Sequence, residues 1–315
     1  MLSYLARRLV HAALVLGVVC MLTFALVNLA PGGPAIMTTM ETTAEQREAH
    51  RVRLGLDRPL PVRFVRWVWA TARGDFGRSL NDGRPVRQVL RERLPPTALL
   101  GGAALGLSLG LGVPLGVYSA THRYSLADHA ATFASFVGLS VPAFWLAIML
   151  ILLFAVELRW LPSSGMATMG GGFSLGDRLA HLAMPAAVLA TVTLPQLARF
   201  TRSAMLEVLG REYVRTARAK GLGERRVLYG HALRNALIPV VTVLGLLLPR
   251  LVGGAVVTET IFGWPGMGQL AVTAAVGRDY PLVMGVTVVV AAVVIVANLA
   301  VDLAYGWLDP RIRYE

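Results

Sequence analysis

Arg211, Arg215 and Arg218 recur at i, i+4 and i+7, and Lys220, the only lysine of the chain, closes the same stretch. On a helix these positions share a face, so they make one basic stripe. A stripe of this kind has two uses. It lies on anionic lipid headgroups, or it is presented to a groove of another protein. Both uses need the same residues, and the stripe by itself does not choose between them. Tyr213, Val214 and Ala217 occupy the other positions, with Ala217 small enough for close approach. Gly221 and Gly223 break the helix and allow positive φ. The segment Arg211–Pro239 therefore reads as a short basic helix, a turn, and a second helix that runs into an apolar stretch.

Other chemistry is missing. A phosphate-binding loop needs Gly-Lys-Ser/Thr, and the one lysine sits in Ala219-Lys220-Gly221. The six histidines are scattered, with no pair at metal-ligand spacing. Ser163-Ser164-Gly165 has no marked partner base, which argues against a membrane protease. The single cysteine, Cys20, lies in an apolar run and excludes both an internal disulfide and a cysteine zinc site. No metal centre, and no cofactor held by this chain, is expected.

The elements that must carry the stripe are set by composition. Of 315 residues 55% are hydrophobic and only 15% charged, with a net charge of +12 that is almost all arginine. Mean hydropathy is +0.60, so apolar runs are tested first as membrane spans. Six emerge: Leu9–Ala30, Thr97–Ala120, Ala130–Val156 with Pro142, Leu182–Ala198 with Pro185 and Pro195, Ala236–Val257 with Pro239 and Pro249, and Leu282–Val301. At 1.5 Å per residue, about 20 residues cross a hydrocarbon core of roughly 30 Å. Arg7 and Arg8 before the first run resemble a signal peptide, but the run is long and Pro31-Gly32-Gly33-Pro34 is no cleavage site, so it reads as an uncleaved span.

Arg7, Arg8, Arg123, the 199–234 segment, Arg311 and Arg313 fall on one face of this topology, while the short opposite loops carry only Arg159, Arg178 and Arg278. The positive-inside rule places the arginine-rich face, with both termini, in the cytoplasm. A charge so partitioned belongs to the membrane and not to nucleic acid. The 34–95 loop then lies outside. In it Thr42 with Glu45, and Thr43 with Gln46, fit capping boxes. Pro61 opens a basic, aromatic helix through Trp67 and Trp69 that ends before Gly74. Val86, Val89, Leu90 and Leu94 form an apolar face before Pro95-Pro96 is expected to stop the turn. The loop reads as a cap over the span ends with its tryptophans at headgroup level, or as a docking surface for an outer partner; common interfacial tryptophans favour the cap.

Ion-coupled transport needs ionisable groups near the bilayer centre. Arg250 is the charge well inside a span, while Glu259 and Asp302 lie near span ends. Arg250 after Pro249 suits either a structural ion pair or a transport pathway, and Pro142 and Glu259 are further pathway candidates. An arginine does not titrate at physiological pH and makes a poor proton carrier.

At these residues a resemblance appears. The Arg211–Pro239 segment resembles the cytoplasmic "EAA" loop of ABC importer permeases, in its dipeptide, oligopeptide and nickel branch. The likeness extends over nearly the whole chain: Pro31-Gly32-Gly33-Pro34, Gly55-Leu56-Asp57-Arg58-Pro59-Leu60-Pro61, Gly74-Asp75-Phe76-Gly77-Arg78-Ser79 and Arg93-Leu94-Pro95-Pro96-Thr97 recur in order. Glu259-Thr260-Ile261-Phe262-Gly263-Trp264-Pro265-Gly266-Met267-Gly268, Arg278-Asp279-Tyr280-Pro281 and Leu308-Asp309-Pro310-Arg311 complete the set. With the motif's glycine on Gly221, its glutamate position falls on Arg215 and its alanines on Thr216 and Ala217. The glutamate contact is thus not carried over.

The resemblance implies an all-α, six-span type I ABC importer permease, divided as residues 1–96 (first span and outer loop) and a five-helix core over 97–315 with the coupling loop at 203–235. It implies a coupling helix made of Glu212, Tyr213, Arg215, Thr216, Ala217, Arg218, Ala219, Lys220 and Gly221. It implies a second homologous permease chain, two ATP-binding subunits that hold ATP and magnesium, and an extracytoplasmic substrate-binding protein. The cargo would be di- or oligopeptides. A nickel-chelate or glutathione importer is the alternative, and an ion-coupled secondary transporter is disfavoured by the lack of midplane carboxylates.

Overall fold

The computed structural model describes residues 2–29, 52 and 57–308, without the side chains of 2–6, 250, 253–254, 302 and 304–308. The Pro31–Pro34 motif, both capping boxes, Gly55-Leu56, the 309–311 motif and the side chain of Arg250 lie outside the described residues. Among the described residues there is no strand, only an isolated antiparallel bridge between Arg78 and Pro85.

In chain order the helices are α1 (Leu2–Leu29), α2 (Leu60–Ala72), α3 (Val86–Thr121), α4 (Leu126–Ser140) and α5 (Ala143–Leu150), which runs on as a π-helix over Ile151–Glu157. Then come α6 (Leu175–Ala190), α7 (Leu194–Leu209), α8 (Glu212–Ala219) and α9 (Arg234–Ile261), entered through a π-helix over Arg226–Leu233. The last two are α10 (Met267–Val276) and α11 (Tyr280–Leu308). Four stretches, Arg7–Leu29, Val86–Thr121, Arg226–Pro249 and Tyr280–Val301, are each long and apolar enough to cross a membrane. The pairs α4/α5 and α6/α7 qualify as bent units, which raises the number to six if each pair crosses once.

The six expected spans map onto these segments, but the third is not a continuous rod. Between α4 and α5 the chain turns by 101°. The cause is local: Pro142 excludes the α region for the residue before it, and Val141 sits at φ −78°, ψ 123°. The fourth span bends by 54° between α6 and α7, at the turn that precedes Pro195. Pro185, Pro239 and Pro249, by contrast, lie inside continuous helix.

Pro95-Pro96 does not stop a helix, contrary to the expectation. α3 runs through both prolines for 36 residues. The two missing N–H groups cost hydrogen bonds, but the helix is held on both sides of them. Val86, Val89 and Leu90 are buried before the prolines, and Leu100 and Ala104 after them.

The chain forms two compact units. One takes the described residues up to Thr97 together with Pro265–Ile295. Its core joins Val86, Val89 and Leu90 of α3 to Met267, Leu270 and Ala274 of α10 and to Leu282 and Val286 of α11. Cys20 is buried within this unit on α1. The other unit takes Ala98–Trp264 and the described residues from Val296 on. There α3 packs on α6 and α9 through Leu100, Ala104, Ala186, Leu189, Ala190 and Leu251, with Trp264 fully buried among them. Small residues let the backbones close up, as membrane helix packing requires without a hydrophobic drive between helices. Gly112 and Gly116 of α3 face α7: a Cβ on Gly116 would lie 2.5 Å from Ala198 O and 2.6 Å from Thr201 Cβ.

Candidate coupling site

α8 is a two-turn helix set between α7 and the Arg226–Pro249 span. Its ends are built locally. Arg211 enters in extended conformation, Glu212 sits in the first turn and Arg218 in the last, each with the charge that suits that end of the helix dipole. At the far end Gly221 adopts φ +76°, Gly221 N donates to Arg218 O at 2.9 Å and Leu222 N to Ala217 O at 3.4 Å. This is a Schellman cap, and the left-handed residue it needs is the glycine.

Two side chains fasten the helix to the protein. Val214 and Ala217, three residues apart on one face, are buried against Val227, with Val208, Leu209 and Leu222 around them. Ala217 does approach closely, but its neighbours belong to its own chain. Its smallness seats α8 on the body and is not offered outward. Glu212, Tyr213, Arg215, Thr216, Arg218, Ala219, Lys220 and Gly221 are exposed, and they make the outward surface.

The basic stripe is real in position but not in charge. Arg211 pairs with Glu207, Arg215 with Glu212 at 2.9 Å, and Arg218 with Glu224 at 2.7 Å. The Arg218 guanidinium holds the Glu224 carboxyl below its ordinary range through their hydrogen bond. Lys220 appears in none of these pairs. A helix whose three arginines are each matched by a carboxylate attracts anionic lipid far less than the count of arginines suggests. What it presents is a patterned, hydrogen-bonding face with Tyr213 at one end, which suits a protein groove.

α7 connects α8 to the rest of its unit through an ion pair that the sequence did not reveal. Arg202 Nε and Nη2 each donate to Asp128 at 2.7 Å, Oδ1 and Oδ2 respectively, and the Asp128 side chain is almost fully buried. Tyr124 N also donates to the same carboxylate at 3.1 Å. Nearer the bend of the fourth span, the fully buried hydroxyls of Ser108 and Thr193 lie 2.6 Å apart. These contacts tie α7 to α4 and α3.

The pathway candidates are scattered. Pro142 caps the start of α5 at the sharp bend. Glu259 is fully buried near the end of α9, in a turn where its carbonyl accepts from Trp264 N at 2.8 Å and Gly263 adopts φ +56°. The 259–268 stretch therefore holds a packed turn, with Phe262, Trp264 and Met267 all buried. Two other motifs from the sequence do meet. Asp279 accepts from Ser79 Oγ, from Leu80 N at 3.0 Å and from Leu282 N at 3.3 Å, which anchors the 74–85 loop to the start of α11. Among the described residues no three His, Cys, Asp or Glu side chains converge as a metal site.

Comparison with known proteins agrees with this architecture. Residues 112–314 match the family described as "Binding-protein-dependent transport system inner membrane component", and residues 1–101 match its N-terminal counterpart. The chain is 43% identical to the oligopeptide transport system permease protein AppB of Bacillus subtilis and 40% identical to the dipeptide transport system permease protein DppB of Escherichia coli, with all of each chain covered. It is 44% identical to the di/tripeptide transport system permease protein DppB of Pseudomonas aeruginosa, again over the full length of both. Among solved structures, the inward-facing MetNI methionine ABC transporter superposes with a TM-score of 0.57 at 19% identity, over 71% of this chain and 98% of that one. That likeness shows the fold.

Proposed function

Since the chain belongs to the family of binding-protein-dependent transport system inner membrane components, we propose that it forms half of the path by which di- or oligopeptides are imported. It is a multi-pass inner-membrane permease subunit of an ABC importer and not an enzyme; ATP hydrolysis lies with separate subunits. It works with ATP-binding subunits and a substrate-binding protein. In our reading a second, related permease chain completes the path, two ATP-binding subunits hold ATP and magnesium, and both termini are cytoplasmic. Peptide cargo rests on the names of the full-length relatives.

The observation that carries the coupling role is α8 itself. It is a short helix seated by Val214 and Ala217, capped at Gly221, and left with a charge-paired outward face between two membrane segments. Such a helix transmits a push because it is fixed on one side and free on the other. ATP-driven closure of the partner subunits moves α8; α8 moves α7 through Val208 and Leu209; and α7 carries Arg202 and the bend of the fourth span. Alternating access then follows from rearrangement of the bent spans, and Pro142, Arg250 and Glu259 are the residues of this chain assigned to the path.

The test uses the assembled importer in vesicles. Thr216→Trp adds bulk on the exposed face of α8 without touching the Val214–Ala217 seat. The expected outcome is an intact complex with peptide uptake reduced at least tenfold, while ATP hydrolysis no longer responds to the loaded binding protein. Normal coupled uptake by this variant would sink the assignment.

A further inference from the structure

Within the unit built on α1, α2 and the start of α11 is a cavity of about 340 Å³, the size of a small-ligand pocket. Arg58, Arg63 and Arg66 line it, and among the described lining residues the one carboxylate is Asp75. That carboxylate already accepts a hydrogen bond from Gly77 N at 2.9 Å. Among the described residues Arg63 donates to the neutral Asn28 Oδ1 and stands 5.9 Å from the centre of the Phe24 ring. Burial holds the Arg63 guanidinium below its ordinary pKa, and the charge of Asp57 only partly opposes this. Trp67 contributes its ring to a cluster with Phe24 and Phe64, and among the described residues its buried Nε1–H has no acceptor. A half-buried guanidinium whose described hydrogen-bond acceptor is a neutral amide is costly unless an anion completes it.

The rest of the wall is apolar, including Val27, Phe76 and Met284. The same end of α1 continues into an outward apolar face, with Leu22 56% and Leu26 71% exposed, a surface for acyl chains to lie on. The ligand must therefore carry negative oxygens at one end and hydrocarbon at the other. We propose that this cavity binds the phosphate of an anionic phospholipid from the leaflet that faces α2, with Arg63 and Arg66 on the phosphate oxygens, the Trp67 ring in the wall, and the chains running along α1. Clustered arginines between helix ends at the interface suit an anionic headgroup, and tryptophan is at home at that depth. A peptide carboxylate shares the anionic oxygens but not the hydrocarbon, and the exposed face of α1 gives it nothing.

The experiment takes the full chain in neutral detergent and measures retention of phosphatidylglycerol against phosphatidylcholine by lipid extraction and mass analysis. The wild-type chain is expected to prefer phosphatidylglycerol by at least tenfold. Arg63→Gln and Arg66→Gln each lower its retention by about tenfold, the scale of one charge-assisted hydrogen bond. Arg87→Gln, exposed and not in the cavity wall, changes nothing. Thermal unfolding in detergent without lipid checks that each variant is folded, and Arg58→Gln or Arg66→Gln, both at exposed residues, decides the matter if Arg63→Gln is not. A wild-type chain without preference for phosphatidylglycerol, or folded variants that retain it fully, overturns the proposal. So does displacement of phosphatidylglycerol by dialanine in a manner lost in Arg66→Gln, which would assign the arginines to a peptide carboxylate.

Discussion

At the residue scale, Asp128 is sensitive to single changes because both of its carboxylate oxygens are engaged. It takes both Arg202 bonds and the Tyr124 N–H while almost fully buried. Removing it by Asp128→Ala strands a guanidinium whose side chain is 27% exposed, so water relieves only part of the loss. Breaking a buried pair costs about 3 kcal/mol at the lower end of such cases. The thermal midpoint of the full chain in detergent should fall accordingly, and Asp128→Ala/Arg202→Leu should recover part of it. An unchanged midpoint would show that the pair is not formed. Glu224 behaves differently because it is exposed. Its carboxyl is held below the ordinary range by Arg218, so the pair favours the folded turn above the unfolded glutamate pKa of about 4.3 and fades as pH falls through the lowered folded value. Amide exchange at Gly221–Glu224, corrected for its intrinsic rate, should stay flat from neutral pH to that region and then accelerate. In Glu224→Gln the step disappears; a step that survives would assign it to another group.

At the element scale, the decisive object is the contact of α3 with α7. Gly112 and Gly116 let α7 approach until its backbone touches α3: a Cβ on Gly112 would stand 3.1 Å from Leu194 O, and one on Gly116 would stand 3.0 Å from Arg202 N. Gly116→Ala forces the two helices apart where Arg202 reaches Asp128, so one methyl disturbs packing and ion pair together. Overpacking of this kind costs about 1–3 kcal/mol, read as a lower thermal midpoint. A variant as stable as the parent would mean that the helices are not so close. α8 teaches a related lesson. Its arginine spacing was legible, as was the Gly221 cap. Glu207 before Arg211 and Glu212 before Arg215 also stood at helical pairing distance, a signal the stripe overshadowed. The Arg218–Glu224 pair closes only because the Gly221 turn folds back. The run through Pro95-Pro96 was not legible, because the packing of Val86 and Leu100 on either side outweighs a local rule about proline.

At the scale of the whole molecule, the charge partition makes one firm demand. Lys220 is the sole lysine, so its amine and the N-terminal amine are the only primary amines of the chain. If the arginine-rich face is cytoplasmic, an impermeant amine reagent should label neither in right-side-out spheroplasts and both in inverted vesicles. Labelling from outside would reverse the topology.

What the sequence determined by itself was the solvent and the local grammar. Apolar runs of membrane length, arginines clustered in the segments between them, a glycine where a helix must end and an ordered set of motifs are all properties of neighbours in the chain. Membrane class, span positions and family follow from them. The tertiary structure alone decided which residues act as partners. Asp128 meets Arg202, Ser79 meets Asp279, and three arginines line one cavity with Asn28 and Tyr280, across separations no periodicity encodes. It also turned Ala217 inward and neutralised the stripe that first drew notice. The physical reason is common to all of these. Burial and pairing depend on which surfaces the helices bring together, and a charge means one thing when it is counted and another when its counter-charge lies 2.7 Å away.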